Sequence, residues 1–429
     1  MNKLKNRLRS NDLIHTFLSL KGNPKWSLLA EPLWFIPYSL FSPFASLYMY
    51  QLGLSSEQIG ITISVGFALQ VIFALIGGII TDKMGRRKTT FIFDFISWSI
   101  PCFIWAFADN FWWFLLAAII NASYQITNAS WNCLFIEDCP AKHLTNAFTL
   151  IHLCGMLSVF FSPIAIFFVD KYSVVKVVSI IYLISAISMG LKFLLLYIFG
   201  SETEIGKQKI KETKYISWIT MIKGYKDVAL QIARSSSMRF VLILMALMNI
   251  ILITTNNFFA LYITETLEIS DQMVAVFPMV RTLIMLIFII LVQNVLNRFK
   301  MKNSMLLGFT CYLISHIILI LSPVKNIPMI ILYTILEAIA YAITCPRRDA
   351  LMAFYVEARE RSRIYAIFNA GMIGLSAPFG YVIGKIFAIN QAYPFFLNII
   401  LFVITIVLIV KIQAIANYDR ETSMIGNKK

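Results

Sequence analysis

The stretch QIGITISVGFALQVIFALIGGIITDKMGRRK, residues 58–88, joins a long uncharged run to a short basic loop. Residues 58–80 carry no charged side chain. A helix rising about 1.5 Å per residue crosses a hydrocarbon core of about 30 Å within that length. The charges that follow, Asp82, Lys83, Arg86, Arg87 and Lys88, are costly in lipid and end the span. By the positive-inside rule they hold that end in the cytoplasm.

The same alternation extends in both directions. Apolar runs at 29–49, 58–80, 89–107, 111–135, 147–169, 174–199, 240–262, 273–296, 304–321, 328–350, 363–388 and 391–412 predict twelve spans. The 429 residues are 59% hydrophobic and 14% charged, and the mean hydropathy is +0.75. Lipid is therefore the solvent for most of the surface, and little chain is left for a separate catalytic domain. The net charge of +15 sits between apolar runs rather than on one folded face, so no nucleic-acid partner is expected. Cys102, Cys133, Cys154, Cys311 and Cys345 fall inside apolar runs, Cys139 outside them, and none has a CxxC or Cys/His metal spacing. No metal and no cofactor is expected.

Basic residues place the rest of the topology. Inner segments hold Lys83 to Lys88, the central-loop lysines, Arg298, Lys300, Lys302, Arg359 and Arg361, whereas the outer loops hold only Lys171, Lys176, Lys325 and Lys385. Both termini are expected in the cytoplasm of a multi-pass cell-membrane protein. The organisation that follows is a cytoplasmic segment 1–28, a six-helix bundle 29–199, a basic linker 200–239, a second bundle 240–412 and a tail 413–429. Residues 1–26 lack the apolar core and cleavage site of a signal peptide. Within the linker, Ile216, Ile219, Ile222, Tyr225, Val228, Ala229 and Ile232 recur at helical spacing and predict an amphipathic helix on the inner leaflet.

A shift of 215 positions lays Gly78 to Arg87 over Gln293 to Lys302, placing Asp82 on Asn297 and Lys83 on Arg298, and brings Ser162-Pro163 onto Ala377-Pro378. The segment 78–88 resembles the signature loop GxxxD[RK]xGR[RK] between the second and third helices of the major facilitator superfamily. Gly78, Asp82, Lys83, Gly85, Arg86 and Arg87 carry that match, and Asn297 and Arg298 belong to its degenerate second copy. The resemblance implies an all-α membrane protein, with twelve helices in two pseudo-symmetric six-helix bundles. It also implies that this loop supports the closed cytoplasmic gate. Here Gly78 allows close helix approach, Asp82 caps or pairs, and Gly85 turns the chain. Within the fifth span, Ser158 to Phe167 keeps a proline but lacks the paired glycines of many exporters of this family, which weakens an export assignment.

Two charges fall near mid-bilayer, Arg281 in the eighth span and Glu337 in the tenth. Each costs on the order of 3 kcal/mol on insertion scales without a partner. They are the leading candidates for solute or proton binding, and a structural ion pair is the competing reading. A step that separates them would drive proton uptake by Glu337. Asp94 and Lys192 near the inner ends of spans three and six read as a local pair or as snorkelling charges. His152 and His316 read as satisfied interior histidines. Glu137, Asp138, Arg347, Arg348 and Asp349 flank the inner interface as gate charges or ordinary flanks. The resemblance draws the cavity lining from spans one, four, seven and ten, where Tyr38, Asn121, Tyr124, Gln125, Asn128, Asn256 and Tyr341 are available. The spacing of Asn121, Tyr124, Gln125 and Asn128 puts them on one helical face.

Neither a nucleotide-binding loop nor a nucleophile with its base occurs in the sequence. The expected function is secondary active transport of a small-molecule solute by alternating access, coupled to protons, by a monomer in the lipid bilayer. A lipid flippase or a substrate-sensing receptor on the same fold is the alternative. A membrane-embedded lipid-modifying enzyme fits less well.

Overall fold

Long helices dominate because most of the chain has no water to satisfy its backbone, and an α-helix satisfies its own. The computed structural model describes residues 12–140, 143–217, 230, 232–291, 299–355 and 361–411, among which there is no strand. Among the described residues ten helical segments are long and apolar enough to cross a bilayer: Ser56–Met84, Arg86–Phe107, Asn146–Lys171, Val174–Phe199, Ser236–Asn257, Asp271–Phe288, Met301–Ile320, Ile327–Arg348, Ile367–Ile389 and Tyr393–Lys411. The remaining two of the twelve spans, the first and the fourth, are interrupted.

Prolines account for the first interruption. The span is built from Gly22–Ala30, Pro32–Phe41 and Ala45–Gln51, with a tight turn at Ser42–Phe44 that contains Pro43. Proline removes one backbone donor and crowds the preceding turn, so the helix tightens or bends there. The fourth span has neither proline nor glycine at its break, between Phe111–Asn121 and Tyr124–Glu137. At this point the Ser123 hydroxyl donates to the Ile120 carbonyl at 2.7 Å, competing with the helical ladder.

The residues group into two compact units. One comprises Met1–Ser42 with Ala68–Lys223, and the other Pro43–Phe67 with Gly224–Lys429. In the first, span six shows how packing is sorted without water. Ile180, Ile184, Ile187, Leu191, Leu194 and Ile198 form an exposed apolar stripe, and Val178, Ile181, Ser185, Met189, Lys192 and Phe193 form the buried face. Ser185 and Lys192 face protein together with part of the apolar side chains, and the stripe left to lipid is wholly aliphatic, because lipid tails are as apolar as those side chains.

Glycines set the closest approaches. In the first unit, a Cβ on Gly77 would lie 3.0 Å from the Ile126 Cα, so span two rests on the fourth-span backbone just past its break. In the second unit, Gly60 and Gly380 let span two and span eleven touch backbone to backbone. There the Ser64 hydroxyl accepts the Tyr381 N–H at 2.6 Å.

Candidate functional site

In the second unit, Arg281 of span eight and Glu337 of span ten meet. The guanidinium donates from Nε to Oε2 at 2.7 Å and from Nη2 to Oε1 at 3.1 Å, a bidentate geometry that fixes both planes. Glu337 is only 2% exposed. Tyr341, one helical turn further along span ten, lays its ring 4.6 Å from the guanidinium carbon. Span ten is held against span nine through Gly308, where a Cβ would come within 2.5 Å of the Thr344 methyl. Deeper in the unit His316 is fully buried, with Nδ1 near the Tyr312 carbonyl and Nε2 near the Asn398 amide, each at 3.2 Å. Asn256 on span seven is exposed, and its neighbour Asn257 bonds to the Ile253 carbonyl of its own helix.

The first unit holds a second assembly, of which the sequence reading identified only part. Trp34 stacks on Tyr38 with centroids 4.7 Å apart, and Trp98 stands edge-on to Trp34 at 4.9 Å. Trp98 also contacts Tyr124 at 5.9 Å. The Tyr124 hydroxyl donates to Gln70 Oε1 and accepts from Gln125 Nε2, both at 3.2 Å. Adjacent to these rings Lys192 pairs with Glu31 at 3.0 Å, and the ammonium lies 5.8 Å from the Trp34 ring. The reading of Asp94 and Lys192 as a local pair or as snorkelling charges is thus corrected, because Lys192 is buried and Glu31 reaches its ammonium directly. Glu31 went unnoticed as the one carboxylate between the apolar segments 28–30 and 32–36; the unmatched charge of Lys192 was the signal for it.

Two further expectations change. Asn121 does not share a face with Tyr124, Gln125 and Asn128, since the break at Ala122 and Ser123 separates them, and its amide instead donates to the Ser97 carbonyl at 2.7 Å. Asn128 is exposed and accepts from Asn132. His152 is exposed on the surface of span five rather than interior.

The basic loop of the first unit is tied down by charge. Arg86, 4% exposed, reaches Asp82 at 3.0 Å and both oxygens of Glu137 at 3.1 and 3.2 Å. Asp82 therefore pairs one turn away on its own strand of chain. Gly78 lies in the same helix, one residue beyond the closely packed Gly77. Gly85 precedes the helix Arg86–Asp94 with φ +89°, and the Glu202 carboxylate accepts the N–H groups of Arg86 and Arg87 at 2.9 and 3.0 Å. An anion at a helix N-terminus satisfies orphan donors and complements the dipole.

Sequence reading missed the helix Glu204–Thr213, which covers part of the lysine run; Lys83 donates to the carbonyls of Thr213 and Ile216 at its far end. Arg87 donates to the Tyr197 carbonyl at 2.8 Å. Burial raises the Asp138 carboxyl above the usual aspartate value, against the Asn23 amide that donates to it at 2.6 Å. The amphipathic linker helix expected around 216–232 lies largely outside the described residues, as do Asn297 and Arg298.

Gly85→Ala meets two obstacles at once, the left-handed φ and a Cβ position 2.6 Å from Glu202 Oε2. The expected result is a loss of about 1–3 kcal/mol, read as a lowered unfolding temperature of the purified protein. An unchanged temperature would remove Glu202 from the N-terminus of that helix.

No curated protein sequence matches the chain. Solved structures do match its fold. They include the nucleoside transporter NupG, at 17% identity and TM-score 0.70 over 92% of this chain and 99% of that one. A POT family transporter in complex with 5-aminolevulinic acid matches at 15% and 0.70 over 93% and 96%. The human organic anion transporter MFSD10 matches at 13% and 0.62 over 90% and 98%. The family profile of the Major Facilitator Superfamily matches residues 33–324 and again 241–421. With twelve spans and the signature loop between the second and third, the chain is a multi-pass membrane transporter that belongs to the Major Facilitator Superfamily.

Proposed function

We propose that the chain moves a small zwitterionic or amphipathic solute across the cell membrane by alternating access, coupled to protons, as a monomer with both termini in the cytoplasm. The observation that carries this reading is the bidentate Arg281 and Glu337 pair beneath the Tyr341 ring. A zwitterion brings a carboxylate for Arg281 and an ammonium for Glu337. It exchanges one ion pair for two and leaves neither protein charge bare in a low-dielectric site. The neighbour holding 5-aminolevulinic acid, itself a zwitterion, supports that class. Because one positive charge meets one negative, the pair is suited to recognising a solute; proton uptake by Glu337 would require the solute to part it first.

The test is a thermal-shift series on purified protein with 5-aminolevulinic acid, a dipeptide, a nucleoside and a simple organic cation. A ligand present at 100 times its Kd adds about 2.7 kcal/mol to the folded state. A zwitterion is expected to raise the unfolding temperature, and Arg281→Ala to abolish that rise. A rise that survives in Arg281→Ala would move the solute site elsewhere. In reconstituted vesicles, scrambling of labelled lipid without solute flux would replace this reading with a flippase.

A further inference from the structure

We propose that Asp94 takes up and releases the driving proton, beside the fixed ion pair of Glu31 and Lys192. The proposal rests on the transporter reading above and adds the place where its coupling ion binds. Three charged side chains are buried in the first unit: Glu31 at 4% exposure, Lys192 at 6% and Asp94 at 7%. Lys192 is committed to Glu31 at 3.0 Å. Asp94 lies within electrostatic reach of both, near Thr127, with no cation at ion-pair distance among the described residues.

Two carboxylates against one ammonium leave one negative charge in excess. An uncompensated buried charge costs several kcal/mol, and binding a proton removes it. The pair in the second unit has no such excess, which is why the proton is assigned here and the solute there.

The surroundings limit the alternatives. Span six contributes Lys192, span one Glu31, span four the neutral Thr127, and span five Cys154, within electrostatic reach of Glu31 and Lys192. On the same helix as Asp94, Arg86 is held by Asp82 and Glu137 and is not free to move in. Among the described residues no three His, Cys, Asp or Glu side chains group to hold a metal ion, whereas a proton needs one carboxylate oxygen.

Local structure links the charge to the aromatic group. Directly after Asp94 the helix widens into a π-helical turn, Phe95–Ser99, which carries Trp98 against Trp34 and Tyr124. Such turns are rare and are frequent at functional positions. The Ser99 hydroxyl at the end of this turn is buried without a partner, facing Gly190 two residues from Lys192. In the step itself, a proton from water on one side of the membrane adds to a carboxylate oxygen of Asp94. It returns to water on the other side once the unit has changed its exposure. The balance is one proton in and one out, with no other reactant.

The experiment needs no solute. Proton uptake by the purified full-length protein is followed with a pH-indicator dye on acidification, and the carbonyl stretch of a protonated carboxyl is followed by infrared difference spectroscopy. The parent is expected to take up about one proton per chain more than Asp94→Asn and to show a carbonyl band that Asp94→Asn lacks. Asp94→Asn is isosteric and leaves the Glu31 and Lys192 pair intact, so its unfolding temperature should match or exceed the parent's.

As a second variant, Lys192→Met leaves two carboxylates without a cation and should move uptake to higher pH. Uptake and band unchanged in Asp94→Asn, or uptake unmoved in Lys192→Met, would overturn the assignment, as would a response to sodium that replaces the response to pH. Any of these would leave the solute reading at Arg281 standing. Failure of the zwitterion screen would likewise leave the proton measurement intact.

Discussion

Glu337→Ala will abolish solute transport and lower stability by about 3–5 kcal/mol, because removing one partner of a buried pair strands the other. Arg281 would keep only the face of Tyr341 at 4.6 Å, and a ring face is worth far less than a bidentate carboxylate. Loss of transport alone would not separate recognition from support. The exchange of both residues, Arg281→Glu with Glu337→Arg, does so. It restores one positive and one negative charge across the same helices, so most of the lost unfolding temperature should return. A solute that needs its carboxylate at span eight and its ammonium at span ten meets the reversed arrangement, and transport should stay below a few per cent of the parent. Recovery of both stability and transport would mean that the pair only holds spans eight and ten together.

Gly60→Ala will drive apart the crossing of spans two and eleven. A Cβ there would stand 2.4 Å from the Gly380 carbonyl oxygen, and one on Gly384 would stand 2.4 Å from the Ser56 carbonyl oxygen. Both are backbone atoms, so no rotamer change relieves the clash. Overpacking of this kind costs about 1–3 kcal/mol. If the close crossing exists in only one of the transporter's conformations, that cost moves the population toward the other by about 5–150-fold. A cysteine at Ser56, 6% exposed in this arrangement, reports the change through its rate of labelling by a membrane-impermeant maleimide in a background with the native cysteines replaced. Labelling should accelerate by at least about fivefold in Gly60→Ala. An equal rate, with an unchanged unfolding temperature, would show that the crossing is not a conformational contact.

The limits of the sequence reading follow from what kind of interaction decides each feature. Arg281 and Glu337 were legible because a charge within an apolar run is costly wherever the run packs, and two such charges at similar depth answer each other. Lys192 carried the same signal, but its partner Glu31 sits at the edge of a run interrupted by Pro32, Pro37 and Pro43. A linear scan reads that edge as a boundary. The break in span four at Ala122 and Ser123 left no mark at all, since neither residue forbids a helix. It depends on a serine hydroxyl choosing a carbonyl and on Gly77 bringing another helix against the backbone just beyond. Asn121 was misplaced for that reason alone.

By itself the sequence determined the membrane environment, the number of spans and the family. Each rests on apolar runs of bilayer length and on the local motif around Gly85, which act at short range along the chain. The tertiary structure alone decided which charges meet. It paired Lys192 with Glu31 rather than Asp94, brought Glu202 onto the helix at Arg86, and gathered Trp34, Trp98 and Tyr124 from three spans. Those contacts join residues tens to more than a hundred positions apart, and they are settled by helix rotation and close approach at particular glycines, quantities that no periodicity along the chain encodes.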